Sequence, residues 1–159
     1  MLNKETLSEV VTIINDTLPK LQNKLVITGS FALCCYDLVD EINDIDIVVH
    51  WKDCAAIEKY IEQCLGGKKM CMNINEEDYD DVLNYKVVIG DYTFNFLSDT
   101  FITQTPLFKV ADNIWMDTLN NIITAKKHCK RQKDAEMFKH ILTKLAYKMN
   151  QDNDMVLII

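Results

Sequence analysis

The sequence reads Val26-Ile27-Thr28-Gly29-Ser30-Phe31-Ala32-Leu33 and, with thirteen residues between Ser30 and Asp44, continues as Asp44-Ile45-Asp46-Ile47-Val48-Val49. The first stretch predicts an apolar strand that breaks at Gly29 and opens a short helix, because glycine tolerates the backbone conformations of tight turns. Backbone N–H groups at the start of such a helix point into the space above the turn, where an anion can bind. We therefore interpret Gly29-Ser30 as a phosphate cradle.

The second stretch predicts a strand with two aspartates on one face. Alternate side chains of a strand leave the same side, so Asp44 and Asp46 are expected on one face about 6 to 7 Å apart at their Cα atoms, with Ile45 and Ile47 facing the core. Two carboxylates placed in this way can share divalent cations. Alone, they would be read as solvated strand-end aspartates; the glycine-serine turn at this distance favours a metal site.

The order hydrophobic-Gly-Ser, spacer, Asp-hydrophobic-Asp-hydrophobic resembles the signature of the nucleotidyltransferase superfamily, which includes polymerase-beta-like enzymes, antibiotic nucleotidyltransferases and abortive-infection-type toxins. The resemblance covers about residues 20–100, with a weaker echo in the last third. It implies an α+β nucleotidyltransferase fold, in which helices flank a small mixed β-sheet and C-terminal helices pack on it.

The resemblance also implies a reaction, the transfer of a nucleoside monophosphate from a nucleoside triphosphate such as ATP to a hydroxyl acceptor. Asp44 and Asp46 would be catalytic and would ligate Mg²⁺ or Mn²⁺, while Gly29 and Ser30 would hold the β- and γ-phosphates. In the superfamily a third carboxylate lies on the strand that follows a hairpin. The matching residue here is Asn95, in the second strand of a hairpin predicted over 83–97 around Gly90-Asp91.

Asn95 leaves two functional interpretations open. An amide oxygen can ligate a hard cation, but it neither neutralises a second ion nor accepts a proton from an attacking hydroxyl. Asp99, about 13 Å further along an extended chain, could replace the missing acid only if the strand bends or ends there. The alternative to an active transferase is a decayed nucleotidyltransferase fold that serves as a binding or structural module.

A basic segment over 126–133 resembles the Lys, then Arg-x-Lys/Arg-Asp pattern in the C-terminal helices of many abortive-infection-type and antibiotic nucleotidyltransferases. By this resemblance Lys126 or Lys127, together with Arg131 and Lys133, would approach the triphosphate. The alternative is that these cations gather at a helix C-terminus, where they favour the helix dipole, and remain solvated. An acidic segment over 76–81 is interpreted as a solvated loop, with metal binding as its alternative.

The remaining pattern predicts the elements around this core. Apolar residues at three- and four-residue spacing predict helices over 5–18, after Asp53, after Asp117 and from about Asp134. Asp53 and Asp117 are expected to cap the helices that follow them. Two short strands are predicted over 107–110 and 114–116, joined as a hairpin by a turn at Asp112-Asn113.

Composition bounds the class of protein. A chain of 159 residues with 48% hydrophobic residues is expected to form one domain over 1–159, with a nucleotidyltransferase-like core over about 20–100 and C-terminal strands and helices over about 106–150. A net charge of −7 disfavours a broad nucleic-acid surface and suits a small nucleotide that brings its own metal ions.

The same inventory predicts the compartment and a partner. Six cysteines without a C-x-x-C motif, and an N-terminus without a signal sequence, predict a reduced, cytoplasmic chain. No apolar run reaches the length of a membrane span. The apolar ending over 155–159 is expected to pair on its own domain as an edge strand; its alternative is a docking strand for a protein partner.

Overall fold

The structure is a computed structural model that describes residues 3–65, 68–69, 84–98, 107–128 and 132–151. Its five α-helices and seven strands occur in the order α1 (Asn3–Thr17), β1 (Leu25–Thr28), α2 (Gly29–Cys35), β2 (Asp44–Val49), α3 (Cys54–Tyr60), β3 (Lys68–Lys69), β4 (Asn84–Ile89), β5 (Tyr92–Ser98), β6 (Leu107–Ala111), β7 (Ile114–Asp117), α4 (Leu119–His128) and α5 (Gln132–Gln151). A 3-10 turn, Trp51–Asp53, precedes α3, and a π-helical turn, Ile61–Leu65, follows it.

The strands form one mixed sheet in the order β3-β4-β5-β2-β1-β7-β6. The pairs β2–β5 and β1–β7 are parallel, and the other neighbours are antiparallel. The hairpin β4–β5 turns at Gly90, with a φ of 62°, and the hairpin β6–β7 turns at Asn113, with a φ of 64°. Glycine and asparagine are the residues that tolerate this left-handed conformation most readily, which explains why both predicted hairpins form at these positions.

One face of the sheet is the core face. Ile45 and Ile47 on β2, and Phe94 and Phe96 on β5, are fully buried, as the alternation predicts. Helices contribute the rest of the same cluster, with buried residues that include Phe31, Leu33, Ile57, Ile141 and Leu145. The opposite, even-numbered residues of β2 and odd-numbered residues of β5 therefore lie on a second face, where polar side chains can remain accessible.

Two predicted helix caps are wrong. Asp53 makes no side-chain hydrogen bond to the start of α3; its Oδ2 accepts the backbone N–H of Asn23 at 3.0 Å. Asp117 is the last residue of β7, and the cap of α4 is Thr118, whose Oγ1 accepts the N–H of Asn121 at 3.3 Å. Both carboxylates are buried, with 6% and 2% of their surface exposed, and bind partners that are distant in sequence.

Several predicted features lie outside the described residues. These are the acidic segment 76–81, Asp99, Arg131 and the apolar ending 155–159. The organisation of residues 1–159 as a single domain stays a prediction. Among the described residues, no helix combines the length and the apolar character that crossing a membrane requires.

Candidate active site

The glycine-serine turn and the aspartate strand meet at one point. β1 and β2 are antiparallel with Thr28 opposite Asp46, so Gly29 begins α2 beside the Asp46 side chain. Gly29 has a φ of 68°, and a Cβ added to it would lie 2.2 Å from Asp46 Oδ2. Because such a distance is far below van der Waals contact, only glycine fits against this carboxylate. The two halves of the sequence signature thus form one local arrangement.

Asp44 and Asp46 lie on the face of β2 opposite Ile45 and Ile47, and both are partly buried. Asn95 on β5 is in register with Asp46, and its Nδ2 donates to Asp46 Oδ1 at 3.3 Å. This register places Asn95 beside the aspartates, as the resemblance implies for the third carboxylate.

Lys86 was missed by the sequence analysis and belongs to the same group. It lies on β4 in register with Asn95, and its Nζ is 2.9 Å from Asp44 Oδ2. Its side chain is 40% exposed and that of Asp44 is 34% exposed. The signal that could have found it is the alternation of the hairpin, because Tyr85 and Val87 face the core and Lys86 must face the aspartates.

The donor set fits a hard divalent cation. Asn95 Oδ1 is buried and has no hydrogen-bond partner among the described residues, although a buried acceptor without a partner costs about 1–3 kcal/mol. Carboxylate and amide oxygens are the ligands that Mg²⁺ and Mn²⁺ take in proteins. The carboxylates number only two, and the described residues hold no group of three or more His, Cys, Asp or Glu side chains that could bind a metal.

A buried aspartate supports the turn from behind. Asp117 Oδ2 accepts the hydroxyl of Thr28 at 2.9 Å, and its Oδ1 accepts the amide of Asn121 at 2.8 Å. The hydroxyl of Tyr36 donates to the backbone oxygen of Asp117 at 2.8 Å, and burial, reinforced by the charge of Asp117, raises the pKa of Tyr36 to about 12. Asp117 therefore fixes the residue that immediately precedes Gly29.

The predicted phosphate-binding residues are placed as follows. Gly29 and Ser30 are the first two residues of α2, and both are partly buried. Lys126 lies near the end of α4, and Lys133 is an exposed residue in the first turn of α5. The helix α4, which carries Lys126, packs on α2, the helix that begins at Gly29. The helix α5, which carries Lys133, packs on α4. The part played by the lysines in phosphate binding stays a prediction.

A cavity of about 520 Å³ lies at the other end of β1. Its lining includes Lys24, His50 and Trp115, with Lys24 Nζ placed 4.3 Å from the centre of the Trp115 ring. The residues around it flank Leu25, three positions before Thr28, which is about 10 Å along a strand. This cavity is therefore separate from the aspartates.

Of the comparisons with known proteins, the one with solved structures identifies the fold. No protein-family model matches the sequence, and no curated protein matches it. Two crystal structures are similar: a Thermotoga maritima protein assigned as a nucleotidyltransferase, and ANT(2″)-Ia in complex with adenylyl-2″-tobramycin. Each has a TM-score of 0.52 and 16% sequence identity. The first match covers 90% of this chain and 96% of the other; the second covers 92% and 91%.

The chain therefore has the nucleotidyltransferase fold. This confirms the predicted α+β class, with a mixed sheet flanked by helices. Similarity at this level of identity shows the fold alone, so the chemistry of the site has to be argued from the residues.

Proposed function

We propose that the protein is a nucleotidyltransferase that binds a nucleoside triphosphate with a divalent cation and transfers the nucleoside monophosphate to a hydroxyl acceptor. The observation that supports this most directly is the approach of the Asp46 carboxylate to Gly29, which only a residue without a side chain permits. A carboxylate held against a turn that can bind phosphate brings a cation and a triphosphate to the same place.

In this proposal Asp44, Asp46 and the amide oxygen of Asn95 hold Mg²⁺ or Mn²⁺. When bound, the cation stabilises negative charge on the α-phosphoryl group and on the departing pyrophosphate. Backbone N–H groups at Gly29 and Ser30 bind the β- and γ-phosphates. The basic residues of the segment 126–133 add positive charge around the triphosphate.

Group transfer forms a bond between the acceptor oxygen and the α-phosphorus and breaks the bond between the α-phosphorus and the oxygen that bridges to the β-phosphorus. Pyrophosphate leaves with that electron pair, and the acceptor loses its hydroxyl proton. Asn95 cannot take this proton. β5 stays paired with β2 through Ser98, which is about 10 Å along the strand from Asn95, so a base at Asp99 would need the chain to fold back.

The missing base favours a second candidate function, nucleotide binding without transfer. Two observations favour this second candidate. The residue in register with Asp46 is an asparagine, which carries an amide, and Lys86 forms an ion pair with Asp44. In this case the fold retains the phosphate turn and the cation site, and an accessory group or a partner chain uses the bound nucleotide.

Calorimetric titration with each of the four nucleoside triphosphates in Mg²⁺ tests the binding step. The wild type is expected to bind at least one of them, and the Asp44→Ala/Asp46→Ala variant is expected to lose that binding. The control is Asp91→Asn, which removes an exposed carboxylate in the β4–β5 turn and should leave the titration unchanged. Failure of all four nucleotides to bind would contradict both candidate functions.

A transfer assay with α-labelled nucleotide then separates the two candidates. Incorporation of label into a hydroxyl acceptor, abolished by Asp46→Asn, supports the transferase. Full transfer by Asp46→Asn would contradict the proposed role of Asp46. Tight binding of nucleotide without label transfer, across a broad set of acceptors, would favour the binding module.

A further inference from the structure

We propose that Lys86 is a built-in cation that takes the place of one of two divalent ions, so that the site binds a single divalent ion per chain. This inference rests on the proposed function, because it concerns how the same aspartates balance the charge of a bound triphosphate. It assigns a role to a residue that lies outside both sequence motifs.

The first step is position. Lys86 on β4, Asn95 on β5 and Asp46 on β2 are in register across three neighbouring strands. Strands are spaced about 4.8 Å apart, so the Lys86 backbone is about 10 Å from that of Asp46, a gap that a lysine and an aspartate side chain can bridge when they reach toward each other. The Lys86 side chain lies across the sheet and ends 2.9 Å from Asp44 Oδ2. The ammonium group thus contacts Asp44, one of the two aspartates, rather than pointing away from them.

The second step is charge. Asp44 and Asp46 contribute two negative charges, and Lys86 contributes one positive charge, which leaves a formal −1. A third carboxylate at position 95, without the lysine, would give a formal −3. Two divalent ions beside a formal −1 would repel each other and the ammonium, whereas one divalent ion and one ammonium divide the carboxylates between them.

The third step is the division of ligands. Lys86 binds Asp44, and the Asn95 amide donates to Asp46 and leaves its carbonyl oxygen buried without a partner among the described residues. A carbonyl oxygen in that state suits a hard cation, and the Lys86 ammonium, which contacts Asp44, does not satisfy it. The single ion is therefore placed on the side of Asp46 and Asn95, next to Gly29, where the triphosphate enters, and Asp44 shares its carboxylate between this ion and Lys86.

A solvated ion pair is the ordinary explanation for a lysine and an aspartate on a sheet surface. Two features distinguish Lys86. Its partner is one of the two predicted metal ligands, and the pair is adjacent to the buried carbonyl of Asn95. The pair formed by Lys109 on β6 and Asp112 in the β6–β7 turn offers the contrast, since its Nζ–Oδ1 distance is 3.7 Å and both side chains are largely exposed.

The test counts bound Mn²⁺ by electron paramagnetic resonance, in the presence of an α,β-methylene nucleoside triphosphate that cannot be cleaved. The wild type is expected to bind one Mn²⁺ per chain with the analogue. The variant Lys86→Met/Asn95→Asp is expected to bind two, and Lys86→Met alone should bind Mn²⁺ without nucleotide about tenfold more tightly than the wild type. Lys109→Met is the matched control and should behave as the wild type does.

Lys86→Arg keeps the positive charge and is expected to bind one ion. This variant shows whether the methionine variants change ion binding through the lost charge or through a disturbed fold. Two ions in the wild type, with the analogue bound, would overturn the role of Lys86 and leave the proposed function standing. One ion in the double variant would overturn it as well. Absence of analogue binding in every variant would overturn the proposed function together with this inference.

Discussion

Gly29 combines a backbone φ of 68° with a neighbour that leaves no room for a side chain. The two constraints have different consequences. The positive φ lowers the stability of any variant in which another residue replaces Gly29, because a Cβ in this conformation clashes with the neighbouring backbone. The contact with Asp46 affects the site, because a methyl group would push the carboxylate away from the turn.

Gly29→Ala separates these effects when it is compared with Gly90→Ala. Gly90 has a φ of 62°, but a Cβ there would be 3.9 Å from its nearest neighbour, Ile13 Cδ1. Each variant is expected to lose about 1–2 kcal/mol in the free energy of unfolding from backbone strain, measured by urea denaturation. Gly29→Ala should lose more than Gly90→Ala and should bind Mg²⁺-nucleotide at least about tenfold more weakly by calorimetry, since the displaced Asp46 loses an interaction of about 1.4 kcal/mol or more. Equal nucleotide affinity in the two variants would contradict the placement of the site at Gly29.

In the proposed reaction, the amide at Asn95 supplies a cation ligand but no base, so we expect it to limit the rate. Asn95→Asp places a carboxylate in register with Asp46, where it can accept the acceptor's proton, and general-base catalysis contributes about 10²- to 10⁴-fold. We expect label transfer to be faster in Asn95→Asp than in the wild type at neutral pH. Asn95→Ser, which also removes the amide but supplies no base, is the control and should show no gain. Equal or slower transfer by Asn95→Asp would contradict the view that the missing base limits the reaction.

At the scale of elements, Asp117 ties β7 to the end of β1 and to α4 through one buried carboxylate. Asp117→Ala would leave the Thr28 hydroxyl and the Asn121 amide without their acceptor, and we expect it to reduce the free energy of unfolding by about 2–4 kcal/mol. Thr28→Val keeps the shape of the side chain and removes only one hydrogen-bond donor. It should therefore reduce the free energy of unfolding by less. Urea denaturation measures both changes, and a loss in Thr28→Val as large as that in Asp117→Ala would contradict the shared role.

The same aspartate shows where sequence reasoning about elements fails. Strands β1, β2 and β4 to β7, the two hairpins and the core faces were predicted correctly, because alternation and turn residues act within a few positions. The caps at Asp53 and Asp117 were wrong because their carboxylates bind groups 30 and 89 residues away in the chain. A local rule cannot foresee that a tertiary partner will compete for the same oxygen atoms.

The candidate site likewise contains residues that local sequence rules predict and one residue that they do not. The meeting of Gly29, Asp44, Asp46 and Asn95 follows from motif order and strand alternation. Lys86 required the register of β4 on β5 and of β5 on β2, and the second of these pairs joins strands separated by more than forty residues. Since lysine is common on exposed sheet faces, its residue type alone does not indicate a role. The phosphate-binding roles of Ser30, Lys126, Arg131 and Lys133 stay predictions.

At the scale of the whole molecule, tyrosine hydroxyls connect elements that are far apart in the sequence. Tyr85 is fully buried on β4, and its single hydroxyl proton is shared between Glu58 Oε1 at 2.8 Å and Glu62 Oε1 at 2.7 Å. Tyr92 on β5 donates to Glu9 on α1. Burial, then the hydrogen bonds to Glu62 and Glu58, raises the pKa of Tyr85 above its ordinary value. These bonds join the sheet to its helices and require protonated phenols.

This requirement predicts a loss of stability in alkali. A phenol with a raised pKa in the folded state binds its proton more tightly there than in the unfolded chain. Its contribution is fully present below the unfolded pKa of about 10 and is lost as the pH rises from there toward the folded value, by at most about 1.4 kcal/mol per pH unit for one proton. The free energy of unfolding should therefore fall as the pH rises above about 10.

Tyr85→Phe isolates the contribution of this one phenol. At pH 8 the variant is expected to be less stable than the wild type in urea, because Glu58 and Glu62 lose their donor. Between pH 10 and pH 11 the difference should shrink, since the wild type alone loses the stabilisation that the raised pKa provides. A constant difference between Tyr85→Phe and the wild type from pH 8 to pH 11 would show that the Tyr85 proton is not linked to folding.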